Sequence, residues 1–319
     1  MAKIVIYDPY LRKFTDGMET WWLNKGHEVR MARYYDPSLV KWGDVIWFHT
    51  CDNNLKMATN PPKDNPDFAG YDMHDMDLTG KRIIVQPIDI ECWHGHHLES
   101  KWDVVDDVVF IADHIRTLVE TLPDSRPDLR YHTVQLGVDL DKFTFKEREP
   151  GFNVAIVSEK WTSKGTDLLL QIMLKLSRED SRWRFTWLGQ RSDYPWEYAY
   201  FDEFVEHHNL PVEFINILQE GKTVDEFLED KNYLLHASHK EAFSFATAEA
   251  MAKGIKPVIH RFYGADNIWP GITWDTIDEA IETLKSPVYE SRYYRKYLAD
   301  KGYTLPQFMN AIDLIIRKE

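Results

Sequence analysis

The chain has 319 residues, 44% of them hydrophobic and 14% aromatic, enough apolar material for two ordinary domains and too much for a mainly disordered chain. Its formal net charge is −14, which argues against a broad non-specific grip on nucleic acid or on an anionic membrane. Cys51 and Cys92 are the two cysteines and form no Cys-x-x-Cys pair, so no disulfide framework is expected and a reduced, cytoplasmic setting is the simpler reading.

The opening MAKIVIYDPY reads as a first strand and not as a signal peptide, because its apolar run stops at Asp8. Nowhere does an apolar run reach the ~18 residues that a membrane span needs. Strands follow at 3–8, 27–34, 44–50, 82–88, 107–112 and 131–136, with helices at 15–25 and 113–122. Residues 52–80 are rich in Asn, Asp, Pro and Gly and lack a period, which predicts a long loop. TFKEREPG, 144–151, is charged and ends in Pro-Gly, the composition of a linker.

The alternation then restarts. Strands are expected at 153–158, 184–189, 212–216, 233–238 and 256–260, and helices at 165–178, 196–208, 223–230 and 245–253. Thr223 and Glu226 have the spacing of a capping box. The last 30 residues look helical and aromatic. Strands alternating with helices predict an α/β chain with mostly parallel sheets. The expected organisation is two Rossmann-like domains facing a cleft, 1–146 and 150–290, followed by helices at 291–319 that cross back.

HKEAFSFATAEAMAKGIKPVI, 239–259, carries the sharpest chemical signal. Glu241 falls on the loop after a buried strand, Ser244 is the expected N-cap of the next helix, and Gly254 its C′ residue. Ligands of open α/β sheets bind at the carboxyl ends of strands. Backbone N–H groups around Phe243–Ala246 would favour a phosphate there, and Glu249, inside the helix, suits a pair of vicinal hydroxyls. That spacing fits a ligand with a sugar at one end, phosphate in the middle and a ribose at the other. The bland alternative is a loop Glu beside an ordinary surface-helix Glu.

This stretch resembles the Glu–seven residues–Glu signature of retaining glycosyltransferases of the GT-B fold, matching at Glu241, Phe243, Ser244, Glu249, Ala250, Met251, Ala252, Gly254, Pro257 and Val258. VQLGVDLDKF (134–143), SEKWTSKGTDLLLQIM (158–173) and, more weakly, DGMETWWLNKGHEV (16–29) are similar to further blocks of that family, in the right order. The resemblance implies that Glu241 contacts hydroxyls of the donor sugar, Glu249 the ribose, and Lys164 the departing diphosphate. It implies backbone donors at Phe243, Ser244 and Phe245, and close backbone approach to phosphate at Gly17. Glu159 stands where the family has an arginine, with Lys160 as its neighbouring substitute. His94, with His96 next, stands where family members carry a histidine near the acceptor.

By the same resemblance the activity is metal-independent transfer, with retention, from a nucleoside diphosphate sugar, UDP- or GDP-linked. The acceptor would be a hydroxyl of a glycan, a small molecule or a modified DNA base. Two histidine-rich or acidic stretches offer other readings: Cys92 with His94, His96 and His97 as a metal site, and Asp75–Asp77 as an Asp-x-Asp motif or, better, a solvated acidic turn. Trp93, Trp102 and Trp161 are candidates for stacking on a sugar or base. Rival functions are a sugar-isomerising or phosphorolytic GT-B enzyme, and a nucleotide- or glycan-binding protein without catalysis.

Overall fold

In the computed structural model, which describes residues 1–10, 15–60, 78–88, 99–121 and 129–317, the short Val- and Ile-rich runs become two all-parallel sheets. The first contains β1 (Lys3–Tyr7), β2 (Glu28–Ala32), β3 (Val45–Phe48), β4 (Arg82–Val85), β5 (Asp107–Phe110) and β6 (Arg130–Thr133), in the order β2-β1-β3-β4-β5-β6. The second contains β7 (Asn153–Val157), β8 (Arg184–Leu188), β9 (Val212–Ile215), β10 (Tyr233–His236), β11 (Lys256–His260) and β12 (Thr273–Trp274), in the order β12-β11-β10-β7-β8-β9. Central strands such as β3 are buried along their whole length, as parallel sheets covered on both faces require, whereas β2 at an edge is partly exposed. All eleven strands read from the sequence are present; β12, two residues long, carries too little pattern to be read.

Helices in the first half are α1 (Asp16–Asn24), α2 (Pro37–Trp42), α3 (Asn53–Thr59) and α4 (Asp113–Glu120). α3 corrects the expectation of an unbroken loop over 52–80. The Asp52 side chain accepts from the Asn54 N–H at 2.9 Å, capping a helix that buries Leu55, Met57 and Ala58. Residues 61–77, including Asp75 and Asp77, lie outside the described residues.

The second half carries α5 (Thr166–Glu179), α6 (Pro195–His208), α7 (Val224–Phe227), α8 (Phe245–Ala252), α9 (Ala265–Ile268), α10 (Ile277–Lys285), α11 (Ser291–Asp300) and α12 (Leu305–Ile316). α7 begins with the expected Thr223–Glu226 capping box but runs a single turn, shorter than 223–230. Among the described residues no helix is long and apolar enough to cross a membrane.

Two compact units result, Met1–Leu136 with Leu305–Glu319, and Gly137–Thr304. The final helix α12 therefore belongs with the first sheet. Its Asp313 carboxylate accepts from Trp21 Nε1 and Trp22 Nε1, each at 3.0 Å, and pairs with Lys25, while Arg82 donates to the Ile315 carbonyl at 2.7 Å. The charged stretch 144–151 is tied to the second unit by hydrogen bonds: Thr144 N–H to Asp225 at 2.9 Å, Arg148 to the carbonyls of Glu229 and Lys231, and Asn232 to the Glu149 carbonyl. Arg148 donates to backbone carbonyls while Lys146 pairs with Glu229 and Glu147 with Arg292, an arrangement that composition alone cannot distinguish from a solvated linker.

Candidate active site

In the second sheet the strand order reverses between β7 and β10, so the crevice for a ligand opens at the carboxyl ends of those two strands. Glycines bring the loops there together. A Cβ at Gly165, which has φ +67°, would lie 2.1 Å from the Ala237 carbonyl oxygen, and one at Gly189, φ +150°, 1.9 Å from the Ser158 carbonyl oxygen. The His239 N–H donates to the Ser163 carbonyl at 3.0 Å and stitches the loop after β10 to the loop after β7.

That stitching sets Lys164 against Glu241. The Lys164 ammonium donates to Glu241 Oε1 at 2.6 Å, and the Ser238 hydroxyl donates to the same oxygen at 2.8 Å. His236, the last residue of β10, places Nε2 3.6 Å from it. Both members of the pair are mostly buried, with side chains 19% and 15% exposed. Burial by itself pushes the Glu241 carboxyl up, but Lys164 and His236 together outweigh it and hold the group well below the usual carboxylate range. Sequence reading found Lys164 and Glu241 but missed His236 and Ser238, whose only signal is their place at the end of the strand before Glu241.

α8 rises directly from this loop. Ser244 stands at its N-cap, yet its side chain makes no bond to the helix backbone; it sits at φ +66° and its hydroxyl meets Thr247 Oγ1 at 2.9 Å. A left-handed serine costs about 1 kcal/mol, of the kind that accumulates at functional sites. Phe243 beneath it is 2% exposed, stacks on Trp269 at 5.5 Å between centroids, and its carbonyl accepts from Trp269 Nε1 at 3.1 Å. The helix start is thus built on a rigid aromatic base, with Phe245 against the edge of Phe243. Glu249 lies half-buried one turn further along α8.

The other expected residues lie elsewhere. Lys160 is 5% exposed, donates to the Gly189 carbonyl and lies over the Trp187 and Phe214 rings, so its ammonium is committed to the underside of the loop and not to the Lys164–Glu241 pair. Gly17 lies within α1, where a Cβ would come 2.8 Å from the Leu305 side chain; its bareness makes room for α12. Trp161 is 40% exposed on the loop that carries Lys164. His94, His96, His97, Cys92 and Trp93 lie outside the described residues.

Comparison with known proteins agrees with the two-sheet architecture. The family model described as glycosyl transferases group 1 matches residues 139–269, a span that includes Lys164, Glu241 and Glu249. Among solved structures, a glycosyltransferase from Rickettsia africae ESF-5 is similar with a TM-score of 0.69 at 12% identity, covering 98% of this chain and 97% of that one. A UDP-forming alpha,alpha-trehalose-phosphate synthase from Burkholderia xenovorans gives 0.73 at 12% identity, covering 100% and 99%. Anabaena Alr3699/HepE, in complex with UDP and glucose, gives 0.71 at 12% identity, covering 99% of each. No curated protein matches the chain in sequence.

Two parallel-sheet units and this match define an enzyme of the glycosyltransferase class with the GT-B fold. The likeness to the glycosyl transferases group 1 family is a likeness of residues 139–269, and over the rest of the chain it is the fold that is shared.

Proposed function

We propose that the enzyme moves a sugar from a nucleoside diphosphate sugar to an acceptor hydroxyl, with retention of configuration, the second unit holding the donor and the first the acceptor. The Lys164–Glu241 pair at the switch point is the observation that carries this reading. The diphosphate draws the Lys164 ammonium, and the N-terminus of α8 adds its dipole. Glu241, released from Lys164, turns its carboxylate to the donor-sugar hydroxyls, and Glu249 takes the ribose. The anomeric carbon exchanges its bond to the diphosphate oxygen for one to the acceptor oxygen, and the acceptor proton leaves with the diphosphate. Lys164 and the helix start supply the positive charge at the leaving group, so the reading needs no divalent ion. UDP is the first choice of nucleotide, because it occupies Anabaena Alr3699/HepE and Staphylococcus aureus TarM.

Thermal melting with UDP, GDP, ADP and their common sugar conjugates tests the donor. A ligand at 100 times its Kd adds about 2.7 kcal/mol, a shift of several degrees. The expected result is a shift for one base that Glu249→Ala abolishes, together with donor turnover that Glu241→Ala abolishes and EDTA leaves unchanged. No shift with any nucleotide would overturn the reading.

A second reading, nucleotide binding without transfer, is favoured by one observation: Glu159 replaces the expected arginine, and Lys160 is turned to Gly189. Donor binding with no turnover, with or without added acceptors, would select it.

A further inference from the structure

His236 closes β10 and is 6% exposed, yet neither of its ring nitrogens has a hydrogen-bond partner among the described residues. Buried polar side chains are almost always paired, so an exception calls for a role. The strand fixes this residue in place. His236 pairs with Ile259 of β11 in the parallel ladder, and its ring rests edge-on against Phe262, 5.9 Å between centroids. The nearby His260 differs, because its Nδ1 lies 3.1 Å from the Ser238 carbonyl oxygen. A carbonyl only accepts, so that nitrogen carries the hydrogen and is satisfied.

His236 Nε2 stands 3.6 Å from Glu241 Oε1, beyond the ~3.2 Å reach of an N–H···O bond. The oxygen it faces is already occupied. Lys164 donates to Oε1 at 2.6 Å and the Ser238 hydroxyl at 2.8 Å, and a carboxylate oxygen offers about two lone pairs. A third donor therefore finds no acceptor position on Oε1 while Lys164 stays. Removing Lys164 takes the opposite charge away from a mostly buried carboxylate, which is strongly unfavourable unless another donor moves in. His236 is the donor in place to do so.

We infer that Glu241 Oε1 passes from Lys164 to His236 when a diphosphate draws Lys164 away, which makes His236 a positioning residue of the donor site. With its hydrogen on Nε2, His236 closes the gap and donates into the position that Lys164 vacates, while Ser238 keeps hold of the same oxygen. The carboxylate thereby stays ordered for the sugar hydroxyls during the step in which its cation is engaged elsewhere. The diphosphate as trigger rests on the transfer reading; the exchange of partners on Oε1 does not.

Two double-variant cycles on the full chain test this, the first without ligand. In urea unfolding, His236→Phe is expected to leave the wild type as stable as before or slightly more so, because it removes an unpaired polar ring and keeps the shape. In Lys164→Met the same change is expected to raise the unfolding constant about tenfold or more, because His236 is then bonded to the carboxylate. His236→Leu serves should His236→Phe melt early. In the second cycle, UDP affinity is expected to fall about tenfold in His236→Phe and to recover in His236→Gln, whose amide N–H replaces the imidazole donor. Once Glu241→Gln has removed the charge, His236→Phe is expected to leave UDP affinity unchanged. Equal effects of His236→Phe on stability with and without Lys164 would overturn the inference. So would a loss of UDP affinity that persists in Glu241→Gln, the mark of a residue that only packs the strand end. A coupled stability cycle in a protein that binds no UDP would instead sink the donor reading and leave the exchange of partners standing.

Discussion

A Cβ on Gly165 would lie 2.1 Å from the Ala237 carbonyl oxygen, so the residue that follows Lys164 must be glycine for the loops after β7 and β10 to touch. Gly165→Ala adds a left-handed backbone penalty of about 1 kcal/mol to a clash against main chain, which cannot rotate away as a flexible side chain would. The loop must back off and take Lys164 with it. A misplacement of about 1 Å near the reacting atoms costs on the order of 100-fold in rate. Gly165→Ala is therefore expected to lower kcat/KM for the donor by about that factor with only a modest drop in Tm. Full activity in this variant would mean that the contact does not position Lys164.

Lys164→Met tests the electrostatics of the pair. Glu241 is held well below the usual carboxylate range, so it contributes stability above the unfolded carboxylate's pKa, which is lost as pH falls. The Tm difference between wild type and Lys164→Met should be widest near pH 7 and shrink on acidification below about 4.3. With Lys164 gone, burial pushes the Glu241 carboxyl upward against a weaker opposition that includes His236 and the Ser238 hydroxyl, so donor binding should acquire an acid limb that the wild type lacks. Melting curves between pH 4 and 8, with donor titrations at each pH, check both signs.

Much of this was legible in the sequence because the strands are short apolar runs ending in polar residues, and because Lys164, Glu241 and Glu249 keep a family's spacing. What was not legible depends on direction and on partners distant in sequence. Composition hid α3: an Asn-, Asp- and Pro-rich stretch contains a helix because Asp52 caps it and Leu55 finds a core. Nothing in SEKWTSKG shows that Lys160 turns inward to Gly189 while Lys164 turns to Glu241. His236 reads as one more residue of a buried strand, and its closeness to Glu241 follows from the turn geometry after β10.

Lys160 gives a pH signature of its own. Burial, with Arg191 nearby as a lesser cause, pushes its ammonium down to about 8. A lysine lowered on folding disfavours the fold while it is charged; the penalty is full below the folded value and fades as pH rises toward the unfolded one, near 10.4. Lys160→Met should thus raise Tm at pH 7, with the gain narrowing between pH 8 and 10. Because the ammonium is bound to the Gly189 carbonyl, UDP affinity should not change. Weakened UDP binding would return Lys160 to the diphosphate.

The far end of α8 is pinned by a buried charge. Lys253 is 0% exposed and meets Asp225 at 2.5 Å and Glu229 at 3.1 Å, while Asp225 also accepts the Thr144 N–H. Removing either acid leaves the ammonium one partner, so Asp225→Ala and Glu229→Ala should each cost about 1 kcal/mol or less. Removing both strands a charge in the interior, and the double variant should lose about 3–5 kcal/mol, well beyond the sum of the singles. Adding Lys253→Met should recover most of that loss. Urea unfolding of the five proteins measures the coupling, and UDP melting shifts report whether loosening this end disturbs the helix start at the other. Simple additivity would mean that Lys253 swings out to water once its partners are gone, and that α8 is held by its apolar face alone.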